Sequence, residues 1–463
     1  MEQINYNDTI AAISTPAGVG GIAVIRVSGP KAISIVNSAW KGGDLTKVTS
    51  HSAHLGKYYS TDGSLLDEGI ATVFISPASF TGEDVVEISV HGSSWIQREL
   101  LNDLVKRGIR IAEPGEFTKR AFLNNKLDLA QAEGVADLIS ASSKAAHDLA
   151  LSQTKGSFSK EFETLREKLI EFASLLELEL DFSEEDVEFA DRSSLVDLCR
   201  QILTKVKGLA ESYSRGAVLK DGVPVVIAGI PNAGKSSLLN LLLGDEKAIV
   251  TDIPGTTRDT IEDTAEIDGV LYRFIDTAGL RDTEDIVEGI GVERARKAME
   301  KSYIVIWVID SSSELPSQMK ALDYFQKTHQ DKNMIILLNK SDLSSIGETQ
   351  DFLSTSIPFS TKTKQGLPTL LSNLHSLATS GQNPEKDIIV TNARHYEALT
   401  HASSALERAL MALNPSDKNS NLISADFIAQ DIREATAYLA TITGTITTDN
   451  LLHSIFSRFC IGK

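Results

Sequence analysis

The segment Gly229-Ile-Pro-Asn-Ala-Gly-Lys-Ser236 decides the fold of the middle of the chain. It follows the apolar run 223–228 and precedes the leucine-rich run 237–243, so it joins a predicted strand to a predicted helix. This is the phosphate-loop pattern, in which backbone N–H groups and a helix N-terminus face an anion. Lys235 would reach the β- and γ-phosphates of a nucleotide, and the Ser236 hydroxyl would bind Mg²⁺. The alternative is a glycine-rich turn that only connects a strand to a helix.

Three further motifs favour GTP over ATP. Asp276-Thr-Ala-Gly279 follows a strand-like run and would place a carboxylate near the metal and a glycine N–H near the γ-phosphate. Asn339-Lys-Ser-Asp342 follows another apolar run, and an aspartate there can accept hydrogen bonds from guanine N1–H and from the 2-amino group, a pair that adenine cannot supply. Ser360-Thr-Lys362 would complete the base pocket. The order of the motifs therefore predicts guanine specificity.

The segment Thr251-Asp-Ile-Pro-Gly-Thr-Thr-Arg-Asp259 lies where the first switch of a GTPase is expected. Thr257 is predicted to complete the Mg²⁺ shell, and a polar loop without metal contact is the alternative. The position after the Asp-x-x-Gly motif, which holds the water-orienting glutamine in Ras-like enzymes, is Leu280. Leucine cannot hydrogen-bond, so another residue must orient the water. The nearby acidic candidates are Asp282, Glu284, Asp285, Glu288 and Glu293.

The composition limits the possible partners and compartment. The 463 residues carry 45 basic and 63 acidic side chains, a formal net charge of −18, so any RNA contact needs a local basic patch or a partner. Two cysteines, Cys199 and Cys460, are too few for a disulfide framework and favour a reducing compartment. With no apolar run long enough to span a bilayer and no secretory signal, a soluble cytoplasmic protein without a membrane segment is expected.

The periodicity of the chain predicts a multidomain α/β plus α protein. Residues 1–120 alternate short β-rich runs with turn clusters, and residues 221–379 alternate buried strands with helices. Residues 121–220 and 380–463 have helical periodicity, so the α/β block is predicted to be inserted into one helical bundle. Cys199 is predicted to pack in this helical core. One long apolar helix stripe comprises Phe162, Leu165, Leu169, Phe172, Leu176 and Leu180.

The whole chain resembles one family, the tRNA uridine modification GTPases called MnmE or TrmE. The resemblance rests on the three nucleotide motifs that begin at Gly229, Thr251 and Asp276, and on the terminal Phe459-Cys-Ile-Gly-Lys463. The N-terminal stretches 15–26, 79–84 and 114–132 also match. The nucleotide motifs alone would fit several bacterial GTPases, so the terminal and N-terminal stretches give the resemblance its specificity.

The resemblance implies three parts and a reaction. An N-terminal α/β domain would dimerise and bind 5-formyl- or 5,10-methylene-tetrahydrofolate, and a discontinuous helical domain would carry an inserted Ras-like P-loop GTPase domain. Family members work in a heterotetramer with MnmG (GidA), a partner that uses FAD and NADH. They add an aminomethyl or carboxymethylaminomethyl group to C5 of the wobble uridine, position 34, of certain tRNAs. Hydrolysis of GTP needs potassium-dependent pairing of the G domains in the homodimer.

The resemblance also assigns roles to individual residues. It places potassium ligands at Asn232, Thr251, Ile253 and Thr256, and singles out Glu288 as the water-orienting acid. It places the folate contacts at Arg26, Glu87, Lys126 and Lys463. The alternatives are that Arg26 is a strand-edge charge, that Glu87 lies on the outward face of its strand and that Lys126 is a solvated helix residue.

The nucleotide-contacting residues predicted from the motifs form one set. They are Asn232, Ala233, Gly234, Lys235, Ser236, Ser237, Thr251, Asp252, Ile253, Pro254, Gly255, Thr256, Thr257, Asp276, Thr277, Ala278, Gly279, Asn339, Lys340, Asp342, Ser360, Thr361 and Lys362. Of these, Lys235 is also predicted to act in catalysis.

Cys460 allows two interpretations. Beside Phe456 and Phe459, a cysteine is typically a small buried apolar residue. Its place in the terminal motif instead favours a nucleophilic or structural role at the modification site. Chain ends fray unless they are held, so the motif implies that the tail docks into another domain.

A GTP-switched ribosome assembly factor that binds ribosomal RNA without folate chemistry is the alternative function. The acidic balance and the lack of a recognisable RNA-binding module such as a KH domain count against it.

Overall fold

The computed structural model describes residues 8–181, 192–244, 263–275, 299–330, 332–343, 356–379, 388–413 and 425–462. The chain divides into two compact units. The first comprises Met1–Ala136, Gln153–Lys168 and Thr436–Lys463, and the second comprises Asp137–Ser152 and Leu169–Ala435. Each unit contains one β-sheet, so the mixed α/β character predicted for both parts of the chain is confirmed.

A seven-stranded sheet organises the first unit. Its strands are β1 (Ile10–Ile13), β2 (Ile22–Ser28), β3 (Trp40–Lys41), β4 (Ser52–Tyr59), β5 (Leu65–Phe74), β6 (Val85–His91) and β7 (Arg110–Ile111). They lie in the order β3-β4-β5-β6-β2-β1-β7, and all neighbours are antiparallel except β1 and β7. Burial alternates along β2 and β6, because one side-chain face of these two strands packs on the main apolar core and the other face is partly accessible.

A six-stranded sheet organises the second unit. Its strands are β8 (Val223–Gly229), β9 (Asp263–Ile267), β10 (Val270–Phe274), β11 (Ile304–Asp310), β12 (Asn333–Asn339) and β13 (Ser356–Pro358). They lie in the order β13-β12-β11-β8-β10-β9, and only the β9–β10 pair is antiparallel. Every residue of β11 is buried, which is why the apolar runs of this part are continuous and do not alternate.

The helices follow the predicted periodicity. They are α1 (Ala32–Ala39), α2 (Ser94–Lys106), α3 (Glu116–Leu123), α4 (Leu129–Ser140), α5 (Lys144–Thr154), α6 (Ser157–Asp181), α7 (Arg192–Asp221), α8 (Lys235–Gly244), α9 (Leu315–Thr328), α10 (Leu367–Thr379), α11 (Ala393–Leu413), α12 (Ala425–Thr443) and α13 (Asp449–Phe456). The predicted stripe of α6 is buried at Phe162, Leu165, Leu169, Phe172 and Leu176. No helix in the described ranges combines the length and the apolar character that a bilayer span requires.

Two helices that flank the six-stranded sheet in the sequence pack against each other. On α7, the fully buried Cys199 has its Sγ 3.7 Å from the Leu406 carbonyl oxygen of α11. The rings of Tyr213 and Tyr396 stack with centroids 4.7 Å apart. The predicted core position of Cys199 is therefore confirmed, and the packing agrees with a helical bundle interrupted by the sheet. The domain boundaries at residues 120, 220 and 379 stay predictions.

Candidate functional site

The phosphate loop leaves the buried strand β8 and runs directly into α8. Its backbone needs glycine at two positions, because φ is +143° at Gly229 and +98° at Gly234. A Cβ on Gly229 would lie 2.2 Å from the Val308 carbonyl oxygen of the neighbouring strand β11. The close packing of this loop on the sheet therefore follows from its glycines, and the first turn of α8 directs its N–H groups toward the loop.

Polar side chains of the loop lie where a nucleotide phosphate would bind. The Lys235 ammonium donates hydrogen bonds to the carbonyl oxygens of Gly229 and Ile230, at 3.0 and 2.7 Å. Asn232, Ser236 and Ser237 are exposed, while Ala233 is buried. An exposed hydroxyl at the start of α8 suits a Mg²⁺ ligand, because Mg²⁺ prefers oxygen ligands and keeps several waters.

Asn339, in the first of the two predicted base-binding segments, contacts both the phosphate loop and the second segment. It lies at the end of β12 and is 1% exposed. Its amide Nδ2 donates to the Ala233 carbonyl oxygen at 2.7 Å, and its Oδ1 accepts from the Thr361 N–H at 3.2 Å. These three segments, predicted separately from the sequence, therefore meet at one edge of the sheet.

The rest of the predicted base pocket is ordered by a short hydrogen-bonded chain. The Ser360 hydroxyl donates to Asp342 Oδ1 at 2.7 Å and accepts from the Thr363 N–H at 3.2 Å. Ser360 is fully buried, whereas Asp342 and Lys362 are exposed. A carboxylate that is both oriented and accessible can accept the paired hydrogen bonds of guanine.

Asp310 contacts the candidate site and was not predicted from the sequence. Lys340 has the left-handed φ of +62°, and its ammonium pairs with Asp310 Oδ2 at 2.6 Å. Burial alone would raise the pKa of Asp310, but hydrogen bonds from Lys340 and Ser312 outweigh it and hold the pKa at about 2. The available signal was its position, since Asp310 ends the buried run of β11 and parallel strands end at the same edge of a sheet.

Some of the predicted site residues lie outside the described ranges. They are Thr251, Asp252, Ile253, Pro254, Gly255, Thr256, Thr257, Asp276, Thr277, Ala278, Gly279, Glu288 and Lys463. Their roles stay predictions.

Arg26 and Glu87 form one pair in the sheet of the first unit. They face each other across β2 and β6, and Arg26 Nε and Nη2 lie 2.9 and 2.8 Å from Glu87 Oε1. The guanidinium carbon also lies 5.5 Å from the centre of the Phe80 ring and 5.6 Å from that of Phe117. Because β2 pairs with a strand on both sides, Arg26 is not a strand-edge charge.

Lys126 approaches the same loop, 75–84, that carries Phe80. Its ammonium donates to the Pro77 carbonyl oxygen at 3.1 Å. A Cβ on Gly82 would lie 3.2 Å from Lys126 Cγ, so the lysine stem runs along the loop. The structure thus groups Arg26, Glu87 and Lys126 around one loop, with an aromatic ring and charges of both signs. A pterin ring with a carboxylate tail needs groups of these kinds.

The C-terminal tail docks in the first unit, as the sequence predicts. The Gly115 N–H donates to the Cys460 carbonyl oxygen at 3.3 Å, and the Ser14 hydroxyl donates to the Gly462 carbonyl oxygen at 3.1 Å. Phe456 is buried, but Cys460 is exposed. The interpretation of Cys460 as a small buried residue is therefore wrong: its backbone is held and its thiol faces outward.

The two cysteines are expected to differ sharply in reactivity. Burial raises the pKa of the Cys199 thiol to about 11, so at pH 8 this thiol stays protonated and enclosed. Iodoacetamide should therefore alkylate the exposed Cys460 in the native protein and reach Cys199 only after unfolding in urea. Mass spectrometry of the labelled peptides measures this, and equal native labelling of both would contradict the packing of α7 on α11.

Comparisons with known proteins match nearly the whole chain. The family profile described as "MnmE helical domain" matches residues 129–460, and the profile "GTP-binding protein TrmE N-terminus" matches residues 9–126. A variant of Era from Aquifex aeolicus, solved with GDP and AlF4−, is 26% identical, with a TM-score of 0.27 and coverage of 42% of this chain and 68% of that one.

Full-length relatives are similar at a level that defines a family. The protein named tRNA modification GTPase MnmE from Flavobacterium psychrophilum is 46% identical over 99% of this chain and 100% of its own length. The proteins of the same name from Cytophaga hutchinsonii and Parabacteroides distasonis are each 47% identical, over 99% and 98% of this chain and 98% and 100% of their own lengths. With matching profiles from residue 9 to residue 460, the chain belongs to the MnmE (TrmE) family.

Proposed function

We propose that this chain is a GTPase that acts in tRNA modification. The observation that carries the nucleotide part is the buried Asn339 amide, which joins the phosphate loop to the segment of Ser360 and to its own base-reading motif. Such a junction fixes the distance between the groups that bind the phosphates and the carboxylate that reads the base. We further propose that α7 and α11 belong to one helical domain interrupted by the G domain, and that the chain is a homodimer.

In this proposal the residues of the nucleotide site, inside and outside the described ranges, have defined roles in binding and hydrolysis. Lys235 leaves the carbonyl oxygens that it now contacts and moves onto the β- and γ-phosphates, where its charge offsets the charge that develops during phosphoryl transfer. Ser236 and, outside the described ranges, Thr257 and Asp276 would hold Mg²⁺, which neutralises phosphate charge. Asn232, with Thr251, Ile253 and Thr256, would hold K⁺, which supplies the positive charge that an arginine finger brings in other GTPases. Glu288 would orient the attacking water.

Turnover of GTP is expected to be faster in KCl than in NaCl at matched ionic strength. The rate should also rise with protein concentration, because the proposed ion joins two G domains.

Glu288→Ala should bind GTP as the parent chain does and lose most of its turnover in both salts. The rate of phosphate release measures the salt effect, the concentration dependence and the effect of the substitution. Equal rates in the two salts would remove the potassium assignment, and full turnover by Glu288→Ala would remove the water-orienting one.

The first unit would supply the one-carbon chemistry. A tetrahydrofolate, when bound, carries the one-carbon unit that is added to C5 of the wobble uridine, together with the FAD- and NADH-using MnmG partner. Glu87 would accept hydrogen bonds from the amino edge of the pterin, and Arg26 would hold that carboxylate in its orientation. Lys126 and Lys463 would bind the carboxylate tail. The docked tail supports this, since it anchors the residue next to Lys463. Cys460 would then act at the modification site.

Glu87→Gln is expected to weaken binding of 5-formyl-tetrahydrofolate by about tenfold or more, because a neutral amide replaces a charged acceptor and the ion pair with Arg26 is lost. Glu68→Gln is the matched control, since Glu68 is an exposed carboxylate on the neighbouring strand β5. Titration calorimetry on the full chain gives both affinities. Equal affinities for the two variants would contradict the folate assignment, while their GTP turnover reports whether each is folded.

A further inference from the structure

A cavity of about 660 Å³ lies within the first unit, beside the proposed folate contacts. Its walls come from the connection between α3 and α4, from the first half of α6 and from the turn that follows α12. Lys126 belongs to this wall and, through Pro77, also touches the loop that carries Phe80. The cavity therefore shares Lys126 with the proposed donor site, while Arg26 and Glu87 are not among its lining residues.

Three polar side chains in the cavity wall have no bonding partner within the described part of the fold. Among the described residues, neither the Arg166 guanidinium nor the side-chain amide of Asn125 has a hydrogen-bond or ion-pair partner. The Ser159 hydroxyl oxygen is buried and also has no partner there. A buried hydroxyl without a partner is costly, so a ligand that bonds to it is favoured.

The other walls are flat and apolar. Phe122 and Phe162 line the cavity together with Leu439. The turn at Gly444, with φ at +83°, lies so close that a Cβ there would be 2.9 Å from the Phe122 ring. An aromatic wall combined with an amide and a hydroxyl suits a planar heterocycle, because bases stack on aromatic rings and pair through their edges.

Among the described residues, the Arg166 guanidinium is an unpaired cation in the cavity wall, whereas the Lys126 ammonium donates to the Pro77 carbonyl oxygen. Lys126 and Arg166 are balanced by Asp128 and Glu163, so the local sum is zero. Asp128 is already engaged, since its Oδ1 accepts from the Gln131 N–H at 2.9 Å. A folate tail brings two carboxylates, which the acidic residues would repel, whereas a phosphodiester brings one charge that a single guanidinium can bind.

We propose that this cavity binds one unpaired uridine of RNA, with the base against Phe122 and the phosphate on Arg166. The inference rests on the proposed function in tRNA modification and adds the site at which the substrate nucleotide is held. A base that is to be altered must leave its stack, and a concave site with stacking and edge contacts receives such a base. The shared wall at Lys126 would place this uridine next to the one-carbon donor.

The test uses the full chain and a labelled RNA hairpin whose loop carries one 4-thiouridine. Arg166→Gln is expected to weaken binding by about tenfold or more and to lower the slope of log affinity against log salt by about one, because one phosphate contact is lost. Lys160→Gln is the matched control: Lys160 lies on the same helix, is exposed and does not line the cavity. It should bind RNA as the parent chain does. Irradiation should crosslink the thiouridine to peptides containing residues 122–131, 159–166 or 439–445.

The outcomes distinguish failure of the proposed function from failure of the cavity assignment. Undetectable RNA binding by the parent chain would overturn the proposed function and this site together. Normal RNA binding by Arg166→Gln, or crosslinks confined to other peptides, would overturn only the cavity assignment. If Arg166→Gln loses 5-formyl-tetrahydrofolate as strongly as RNA, the cavity holds the folate tail and the uridine assignment is wrong. Unchanged GTP turnover in both variants shows that they are folded.

Discussion

Gly234→Ala is expected to lose GTP affinity by about 100-fold or more. The new Cβ would lie 2.1 Å from Asn339 Nδ2, and φ at this position is +98°, which alanine adopts only with strain. Asn339 cannot rotate away freely, because it is buried and its amide is held by Ala233 and Thr361. The variant must break that junction and leave buried polar groups without partners, at about 1–3 kcal/mol each. The phosphate loop and the base pocket would then lose their fixed spacing.

Gly244→Ala provides the matched control for this change. Gly244 ends α8, and a Cβ there meets no atom within 4 Å. Its GTP affinity should equal that of the parent chain. Fluorescence titration with a labelled GTP analogue measures both variants, and urea unfolding separates lost binding from lost folding. If Gly234→Ala binds GTP within about threefold of the control, the junction at Asn339 does not set the geometry of the site.

The described nucleotide site was predictable because each of its motifs is local. Asn232 to Ser236 and Asn339 to Asp342 are identified by short patterns that follow buried strands, and the structure brings them together at one sheet edge. Asp310 was missed because its importance depends on Lys340, which lies 30 residues away. Only the pairing of β11 with β12, in which Asp310 opposes Asn339, places the two side chains together.

The side-chain arrangement of the first unit was harder to predict from the sequence. Arg26 and Glu87 are 61 residues apart, and only the register of β2 and β6 makes them a pair, so the sequence pointed to them through family resemblance alone. For Cys460, composition predicted burial, but the residue is exposed. Composition describes how often a residue type is buried, but the position of this cysteine is set by two long-range hydrogen bonds to the tail, from the Gly115 N–H to the Cys460 carbonyl oxygen and from the Ser14 hydroxyl to the Gly462 carbonyl oxygen. Long-range pairing of this kind leaves no local pattern.

Asp342→Asn is expected to weaken GTP binding by about 100-fold and to improve binding of xanthosine triphosphate. The carboxylate would accept two hydrogen bonds from guanine, each charge-assisted and worth about 1.5–3 kcal/mol. An asparagine side chain can accept only one of them, and its amino group opposes the guanine amino group. Xanthine has a carbonyl oxygen in place of that amino group, so the amide oxygen can accept from N1–H while the amide nitrogen donates to the carbonyl.

Asp323→Asn is the control, because Asp323 is an exposed carboxylate on α9 whose described ion pair is with Lys327 in the next turn. It should keep the affinity and the base preference of the parent chain. Ser360→Ala should cause a smaller loss than Asp342→Asn, since it removes only the hydroxyl that orients the carboxylate. Competition between GTP, ATP and xanthosine triphosphate for one labelled nucleotide reports all three variants. Unchanged guanine preference in Asp342→Asn would mean that another group reads the base, because no charge-assisted pair would then have been lost.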